Sequence, residues 1–509
     1  MNKQGAIASG HELTSAAAKE ILLDGGNAFD AIIAAHFTAC VVEPVLTSLG
    51  AGGYMLAEPH GTRCRVYDFF TQTPQQKGDH GLDFYPISAD FGPTRQEFHI
   101  GRGSTAVPGS VRGMFEVHRD LGSLPMRRLI EPAVRHAREG VRINAMQASI
   151  LDIVSPIYLA SSAVAQVYGS RLRPGKTLRE GEVFQQPQLA ATLEALAAAG
   201  DRLFYEGEIA AMIAGQCAEG GLLTLADLAA YRVEKREPLR VGYRDAELMI
   251  NPPPSSGGIL IGFALALLDQ LPPGEPSCSE RVGRLAEVMA VTNKARVEAL
   301  AAGRGNLLDR LLEPGLLERY RREVMEQPYC SRGTTHISVV DGEGNLASMT
   351  VSNGEGCGEL LGDTGIMLNN VLGEEDLNPG GFFRWQPGTR MTSMMAPAIL
   401  HTPRGRAVLG SGGSNRLRTA ILQVILNLVD HRMSIEEAVA APRVHMEHGT
   451  LNLEPGAVSG SMDDLQSVFG DLRPWPDRNL FFGGVHSVWL TGDDYHAAGD
   501  PRRGGRGLV

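Results

Sequence analysis

The sequence predicts a mixed fold of helices and strands that forms one compact unit over residues 1–509. Amphipathic or apolar stretches of helical length flank short β-rich runs in both halves of the chain. Neither a low-complexity linker nor a repeat of fixed period divides it. With 43% hydrophobic and 21% charged residues, the composition is that of an ordinary globular protein, and the length allows a large core.

In the first half, the pattern over 14–23 predicts an amphipathic helix that ends at a Gly-Gly pair. Residues 28–42 are more uniformly apolar, which predicts a buried helix, and β-rich runs follow at 54–57 and 63–69. The polar segment 71–103 is expected to be a surface loop. Further helices are predicted at 108–121, 129–139, 189–199 and 208–219, and a short one after the capping signal at 224–227.

In the second half, a strand is predicted at 243–250, ahead of a Pro-Pro-Pro run. The β-rich runs 337–340 and 346–351 surround a turn at 342–345, which predicts a hairpin. Shorter strands are predicted at 366–368, 396–401, 407–409 and 484–490, and helices at 259–268, 279–301, 307–326 and 416–429.

The charge balance bears on the partners of the protein. Lys and Arg total 47 against 58 Asp and Glu, a net charge of −11, so neither nucleic acid nor an anionic membrane surface is an expected partner. The longest apolar runs fall short of the roughly 20 residues that span a bilayer. The first residues lack the apolar centre of a signal peptide, so we expect a cytoplasmic protein without a membrane segment.

The cysteine and histidine patterns do not indicate a metal site. None of the six cysteines forms a C-x-x-C pair, and no helix carries two histidines with the spacing of a metal hydrolase. His36 lies in an apolar helix, which is typical of a core histidine. We expect buried free thiols and neither metal nor cofactor; the cysteines are Cys40, Cys64, Cys217, Cys278, Cys330 and Cys357.

A glycine-rich element at 407–415 follows a strand and precedes a helix. Asn415 replaces the third glycine of a dinucleotide-binding fingerprint, and no Gly-Lys-Ser/Thr of a P-loop is present. A complete Gly-x-Ser-x-Gly elbow of a serine hydrolase is missing too. The backbone N–H groups of the element could hold an anion or an oxyanion, and a plain strand-to-helix turn is the alternative.

The hairpin begins with Thr334 directly after Gly333. A threonine hydroxyl is a weak nucleophile inside a chain, but cleavage before it frees an α-amine that can take its proton. Gly333 supplies a pliable residue before such a cut. His336 and Ser338 would share a strand face with Thr334. An ordinary strand start is the other interpretation of this spacing.

Five segments spread over nearly the whole chain carry a further signal; they are GGNAFDAIIAA (25–35), VVEPVLTSLGAGGYML (41–56), NPPPSSGGI (251–259), TTHISVVDGEGN (334–345) and GSGGSNR (410–416). Together they resemble the γ-glutamyltranspeptidase family of N-terminal nucleophile hydrolases, in which such segments occur in the same order.

The resemblance implies an α+β fold, a four-layer αββα sandwich of the N-terminal nucleophile hydrolase type. It also implies autocatalytic cleavage between Gly333 and Thr334, into a large segment 1–333 and a small segment 334–509. These two fragments would form a heterodimer, which could dimerise further, and the reaction would require no cofactor.

The resemblance further implies the catalytic roles. Thr334 would be both the cleaving group and the later acyl carrier. Ser352 stands where the family has a second threonine that hydrogen-bonds the nucleophile, and a hydroxyl is kept there. The oxyanion donors would be the backbone N–H groups of Gly412 and Gly413, with Ser414 as a further candidate.

On the substrate side, Asn353 or Gly354 stands where the family places a substrate-binding asparagine. Glu374 matches the acidic residue that holds the α-amine of a γ-glutamyl donor. The family's serine pair for the donor α-carboxylate is reduced to Ser393, with Met394 beside it.

Phe70 is the largest departure from the family pattern, because it stands where the γ-glutamyl enzymes have an arginine for the α-carboxylate. An aromatic ring cannot replace a bidentate guanidinium. Arg102, Arg384 and Arg390 are candidates for a replacement cation. The lid segment, 379–388, is short.

We therefore expect a self-processing amidohydrolase or acyltransferase that acts on small-molecule amides. The leading hypothesis is cleavage of γ-glutamyl amides such as glutathione. Phe70 favours an alternative, a glutaryl-cephalosporin acylase or an oxamate-type amidohydrolase. A third hypothesis, of another class, is an unprocessed and inactive binding relative.

Overall fold

Two antiparallel β-sheets stacked face to face form the centre of the molecule, and helices cover their outer faces. The computed structural model describes residues 5–78, 81–90, 95–301, 311–321, 334–378, 380–413, 415–447 and 449–509. Among these residues, no helix combines the length and the apolar character needed to cross a bilayer.

Helices occur in both halves of the chain. They are α1 (Glu12–Leu23), α2 (Ala28–Val42), α3 (Ser110–Leu121), α4 (Met126–Glu139), α5 (Ala145–Ile153), α6 (Ser155–Tyr158), α7 (Ser162–Tyr168), α8 (Pro187–Ala199), α9 (Arg202–Tyr205), α10 (Glu208–Cys217), α11 (Leu225–Ala230), α12 (Ser256–Leu268), α13 (Ser279–Ala301), α14 (Pro314–Arg321), α15 (Asn415–Val429), α16 (Ile435–Ala440) and α17 (Asp463–Phe469).

The strands are β1 (Gly5–Ser9), β2 (Gly52–Glu58), β3 (Arg65–Phe69), β4 (Tyr85–Asp90), β5 (Arg95–Ile100), β6 (Val141–Arg142), β7 (Val183–Phe184), β8 (Glu234–Arg236), β9 (Leu239–Tyr243), β10 (Ala246–Ile250), β11 (Thr335–Asp341), β12 (Leu346–Ser352), β13 (Ala398–Thr402), β14 (Gly405–Gly412), β15 (Val444–Glu447), β16 (Thr450–Leu453), β17 (Asp471–Pro474), β18 (Gly484–Thr491), β19 (Asp494–Ala498) and β20 (Arg506–Leu508). The seven-stranded sheet has the order β20-β1-β11-β12-β2-β3-β8, and the six-stranded sheet the order β19-β18-β14-β13-β10-β9.

Three apolar cores separate four layers. One core joins helices α1 to α4 to the outer face of the seven-stranded sheet, and a second joins α12, α13 and α15 to the six-stranded sheet. The third, smaller core lies between the two sheets. This α+β, αββα arrangement is the one that the resemblance implied.

Strand β12 illustrates how side-chain alternation builds these layers. Met349 and Val351 pack in the core under the helices, while Leu346 packs between the sheets. On that same inner face, Ser348 donates a hydrogen bond of 3.1 Å to the carbonyl of Leu409 in β14. Polar side chains thus cross the inter-sheet space where apolar ones do not fill it.

Helix α2 is buried along its whole length, as its apolar run predicts. A capping box of Asn27 and Asp30 begins the helix, and it ends at Glu43. The backbone N–H of Ala28 also donates to the carboxylate of Asp341 at the end of β11. These contacts fix α2 against the strand that begins directly after the predicted nucleophile, Thr334.

Three predictions of local structure are wrong. Part of segment 71–103, expected to be a loop, forms the β4–β5 hairpin, a separate two-stranded sheet. The apolar alternation in its strands, YPISAD and RQEFHI, is short, and the Pro-, Gly- and Asp-rich residues around it favoured a loop. The strand predicted at 243–250 is two strands joined at Arg244, which adopts a φ of 54° without the usual glycine or asparagine. Residues 366–368 make only isolated bridges.

Several strands lack a sequence signal. Strand β1, with the sequence GAIAS, pairs with β11 and β20, yet small residues have low β-propensity and predict no strand. Its place between two other strands, rather than its composition, makes it extended.

Candidate active site

Thr334 immediately precedes β11 and is buried. Strand β11 pairs with β12 from Thr335 onward and with β1 from Ile337 onward, so its first residues are held by β12. The register pairs Thr335 with Val351, and its continuation by one residue places Thr334 opposite Ser352. The structure therefore brings together the predicted nucleophile and the predicted hydroxyl partner.

The Gly412–Gly413 turn at the end of β14 packs directly on Thr334. A Cβ atom added to Gly412 would lie 2.0 Å from the carbonyl oxygen of Thr334, and Gly413 has a φ of 121°. Only glycine fits this close approach and this backbone conformation. The two predicted oxyanion donors are thus next to the predicted nucleophile, while Gly333 and Ser414 lie outside the described residues.

Arg503 is a member of the site that the sequence patterns did not indicate. Its Nη1 atom lies 3.5 Å from the carbonyl oxygen of Thr334 and donates to it. Its Nη2 atom is 3.1 Å from the Cβ position of Gly413. Burial lowers the pKa of this guanidinium to about 10, although Glu355 and Asp500 oppose the shift. A cation thus lies close to both the predicted nucleophile and the glycine turn. In the sequence, the only indication of this site residue was a pair of adjacent arginines near the chain end.

Thr335, the second threonine of the pair, points to the opposite face of the sheet. Its hydroxyl donates a 2.8 Å hydrogen bond to one carboxylate oxygen of Glu43, and Thr14 donates to the other oxygen at 2.8 Å. Burial raises the pKa of the Glu43 carboxyl, and the two hydroxyl contacts oppose that shift. This contact anchors the beginning of β11 to helices α1 and α2.

His336 and Ser338 share the inner face of β11, as the alternation predicts. The His336 ring contacts the Thr350 hydroxyl at 2.8 Å and the Ser338 hydroxyl at 2.9 Å. Ser338 in turn donates to the carbonyl of His486 in the other sheet, at 3.1 Å. Burial lowers the pKa of His336 well below its usual value, so the ring is neutral and joins the two sheets.

Asn353, Gly354 and Glu374 meet just beyond the end of β12. Asn353 is fully buried, and its Oδ1 accepts a 2.8 Å hydrogen bond from Ser48. Its Nδ2 has no hydrogen-bond partner in the described part of the chain. A Cβ at Gly354 would lie 2.2 Å from Oε1 of Glu374. A buried amide donor and a buried carboxylate therefore lie on either side of Gly354, next to Ser352.

Ser393 is buried, but its hydroxyl already accepts a 3.1 Å hydrogen bond from the backbone N–H of Met395. Its carbonyl accepts hydrogen bonds of 3.0 Å from the hydroxyls of Ser255 and Ser256. Ser256 also lies 3.3 Å from the sulfur of Met394. The Ser-Ser pair of the 251–259 segment thus holds the backbone on which Ser393 stands.

Phe70 is buried and stacks on Tyr54, with ring centroids 5.6 Å apart and an interplanar angle of 26°. Its carbonyl accepts hydrogen bonds from Tyr231, at 2.7 Å, and from Arg390. The Tyr54 hydroxyl has no hydrogen-bond partner among the described residues. An aromatic surface with one available hydroxyl therefore occupies the position of the family's arginine.

The three candidate replacement cations differ in their surroundings. Arg390 reaches the Phe70 segment, but its guanidinium also lies 3.4 Å from Asp68 and donates to the backbone carbonyl of Arg232 at 2.6 Å. Arg102 pairs with carboxylates at 3.3 and 3.0 Å, and Arg384 is exposed. Arg390 and Arg102 are thus already paired with protein groups, whereas Arg384 is exposed to solvent.

Other kinds of site receive no support from the described residues. They contain no group of three or more His, Cys, Asp or Glu side chains that could hold a metal ion. Strand β14 runs antiparallel to both of its neighbours, so the glycine-rich turn is not part of a parallel βαβ unit for a dinucleotide. The five described cysteines are free, and four of them are buried; Cys330 lies outside the described residues.

Comparison with known proteins gives consistent matches. The family model for gamma-glutamyltranspeptidase matches residues 14–509. The chain is 34% identical to the Acylase ACY 1 proenzyme of Pseudomonas sp. (strain SE83), over 90% of this chain and 86% of the relative. It is 30% identical to the glutathione hydrolase proenzyme of Pseudomonas aeruginosa, over 99% of this chain and 94% of the relative.

Solved structures match as well, among them the following two. The cephalosporin acylase from Bacillus halodurans has a TM-score of 0.85 at 24% identity, over 99% of this chain and 96% of that one. The gamma-glutamyltranspeptidase of Helicobacter pylori has a TM-score of 0.52 at 25% identity, over 63% of this chain and 91% of that one. These similarities confirm the N-terminal nucleophile hydrolase fold, while the roles of the individual site residues stay predictions.

Proposed function

The chain belongs to the gamma-glutamyltranspeptidase family, and from this premise we propose that it is a self-processing amidohydrolase or acyltransferase with Thr334 as nucleophile. The observation that carries the proposal is the packing of the Gly412 turn on Thr334 at the beginning of β11. A hydroxyl nucleophile and a pair of backbone N–H donors are the two parts that acyl transfer requires.

Self-cleavage supplies the general base. Thr334 Oγ attacks the carbonyl carbon of Gly333, the hydroxyl proton passes to the departing nitrogen, and the peptide bond rearranges to an ester. Water then hydrolyses the ester, which leaves a carboxylate on Gly333 and a free α-amine on Thr334. The nearby Arg503 guanidinium favours the neutral form of this amine, because like charges repel.

In turnover, the α-amine takes the proton of the Thr334 hydroxyl, and Oγ attacks the carbonyl carbon of the substrate amide. The N–H groups of Gly412 and Gly413 stabilise the resulting oxyanion. The amine product leaves with a proton from the α-ammonium, and an acyl ester stays on Thr334. Water or an acceptor amine then attacks the ester and releases the acyl product.

The two fragments of the processed protein are expected to stay together. The relatives named above as an acylase and a glutathione hydrolase are both called proenzymes, which supports processing. In the seven-stranded sheet, β11 pairs with β1 and β12 pairs with β2, so the β11–β12 hairpin of segment 334–509 is inserted between strands of segment 1–333. Separation of the fragments would break these ladders and the cores on both sides of the sheet.

The first candidate substrates are γ-glutamyl amides such as glutathione. The similarity to proteins named glutathione hydrolase supports this class. We expect buried Glu374 to hold the α-ammonium of a γ-glutamyl group, and the Nδ2 of buried Asn353 has no hydrogen-bond partner among the described residues and could donate to the substrate.

The second candidate substrates are amides of glutaryl-like or other small acyl groups. The stacking of Phe70 on Tyr54 favours them, because this surface offers no cation to an α-carboxylate. The similarity to proteins named acylase ACY 1 and cephalosporin acylase agrees with this class.

The first test is the intact mass of the purified protein and of Thr334→Ala. We expect two fragments that end and begin at Gly333 and Thr334 in the natural protein, and one uncut chain in the variant. An uncut natural protein after long incubation would contradict self-processing and leave the unprocessed binding relative as the interpretation.

The second test separates the substrate classes. The kcat/KM of the processed protein is measured with γ-glutamyl-p-nitroanilide, glutaryl-p-nitroanilide and oxamate. Strong γ-glutamyl turnover would rule out the second class, and turnover of glutaryl amides alone would rule out the first.

A further inference from the structure

Three arginines that the proposed chemistry does not use lie together in the interior, on α13 and the first turns of α15. Arg296, Arg416 and Arg418 are all buried. Two carboxylates are near: Asp376 is 3.8 Å from Arg296, and Glu447 is 3.0 Å from Arg416. Counted over the described residues, the cluster, defined by these three arginines, therefore holds one more positive charge than the carboxylates that form ion pairs with it.

The hydrogen bonds of the cluster are incomplete. Arg418 donates to Oδ1 of Asn293 at 2.7 Å, and the Arg416 guanidinium lies 4.1 Å from the ring centre of Phe481. The Nε atoms of all three arginines, and Nη1 of Arg416, have no hydrogen-bond partner in the described ranges. Buried polar groups are nearly always paired, so four unpartnered guanidinium nitrogens indicate a place for another acceptor.

Electrostatics agrees with this geometry. Burial, and next the positive charge of Arg296, lower the pKa of Arg418 to about 9. Burial also lowers the pKa of Arg296, despite the nearby Asp376 and Glu447. His445 lies 3.4 Å from Glu447, but burial keeps its ring neutral, and it adds no charge. An additional anion would offset the excess positive charge.

The cluster is connected through short stretches of chain to two segments of the proposed acyl site. Arg416 follows Gly413 by three residues, and a chain spans at most about 3.6 Å per residue, so their Cα atoms are within about 11 Å. On the other side, Asp376 follows Glu374 by two residues. A ligand held by these arginines would therefore lie near both the oxyanion turn and the predicted amine-binding carboxylate.

We propose that Arg296, Arg416 and Arg418 bind a carboxylate of the amide substrate, an inference that rests on the proposed function. Planar guanidinium groups suit a carboxylate because they offer paired N–H donors. Two sources share this chemistry: a carboxylate on the acyl group, as in a glutaryl amide, and a carboxylate on the departing amine, as in a peptide.

Kinetics with matched substrates test the proposal and distinguish the two sources. The natural protein, Arg418→Gln and Arg418→Lys are assayed with glutaryl-p-nitroanilide, the neutral pentanoyl-p-nitroanilide, and pentanoyl-4-aminobenzoate. We expect Arg418→Gln to reduce kcat/KM by about tenfold or more for one carboxylate substrate and little for the neutral one, because it removes a charged donor. A lower kcat/KM with the glutaryl substrate would show that the arginines bind a carboxylate on the acyl group. A lower kcat/KM with the aminobenzoate substrate would show that they bind a carboxylate on the departing amine.

Arg112→Gln is the matched control. Arg112 is another largely buried arginine, paired with Asp201 at 2.8 Å, but it belongs to α3 in the outer helical layer. This variant should change kcat/KM for charged and neutral substrates equally. Equal losses in Arg418→Gln for all three substrates would overturn the proposal and indicate a purely structural cluster.

A binding measurement separates this inference from the proposed function. Calorimetry compares glutarate, its neutral diamide and 4-aminobenzoate on the natural protein, Arg418→Gln and Arg296→Gln. We expect one carboxylate to bind the natural protein at least about tenfold more tightly than each variant. Equal binding to all three proteins, or no binding of either carboxylate, would overturn the inference even if the protein processes itself and hydrolyses amides.

Discussion

The two sides of the site are built differently. On the nucleophile side, Thr334 and the Gly412–Gly413 turn are held by main-chain ladders of central strands and by a backbone contact that only glycine allows. On the acyl side, Phe70 and Ser393 lie at strand ends and loops, where side chains decide what is recognised. A backbone arrangement tolerates little change, whereas a side chain can be exchanged without disturbing the fold, so the chemistry and the specificity can diverge independently.

Thr334→Ala tests the nucleophile side with the largest expected effect. Without the hydroxyl, neither self-cleavage nor acyl transfer is possible, so mass spectrometry should show only the full-length chain, and amide turnover should be undetectable. Thr335→Ser is the control, because it keeps a hydroxyl for Glu43 on the opposite face. Cleavage of the Thr334→Ala chain after Gly333 would show that the Thr334 hydroxyl is not the group that cleaves the chain.

Gly412→Ala tests whether the backbone contact is as intolerant as its geometry indicates. The added Cβ would meet the Thr334 carbonyl oxygen at 2.0 Å, so the turn must move away from the nucleophile. We expect a loss of at least ~100-fold in kcat/KM, the magnitude typical of a lost oxyanion donor, and slower self-cleavage.

Gly242→Ala in β9 provides the control for Gly412→Ala, since a Cβ there meets no atom within 4 Å. It should process and turn over normally. If Gly412→Ala also behaves normally, the turn does not position the oxyanion donors.

Arg503→Met tests the electrostatic link between the chain end and the nucleophile. Removal of a nearby cation should raise the pKa of the Thr334 α-amine, because its protonated form is no longer repelled. The active, neutral amine then forms at higher pH, so the ascending limb of the kcat/KM profile should shift upward by up to about one pH unit.

The pH profile distinguishes this role of Arg503 from a purely structural one. Arg503→Lys should retain most of the natural profile, because it keeps the charge. A uniform loss of rate in both variants without a shift of the limb would contradict the electrostatic role.

Met394→Ser tests the acyl side and has the smallest expected effect. It restores the family's serine pair next to Ser393 and should raise γ-glutamyl turnover relative to glutaryl turnover by about two- to tenfold, the value of one net hydrogen bond. The ratio of the two kcat/KM values is the measurement. A change in self-cleavage instead would show that the acyl and nucleophile sides are not independent.

Much of the local structure could be predicted from the sequence because its signals are local. The buried helix α2, the helix α13 and the hairpin of β11 and β12 follow from apolar periodicity and turn residues within short windows. The prediction that Thr334 is the nucleophile also depends on a local pattern, a β-rich run directly after glycine, which left an ordinary strand start open until the family resemblance was added. That resemblance depended on residues that are neighbours in the chain.

Other features depend on contacts between residues far apart in the sequence. Arg503 and Thr334 are separated by 169 positions, and β1 becomes a strand only because β11 and β20 lie on either side of it. The arginine cluster on α13 and α15 likewise forms only when these helices pack. Short sequence windows record propensity and alternation, which predict the elements and the nucleophile. The partners of a buried charge depend on which segments the folded chain brings together, so only the tertiary structure could identify them.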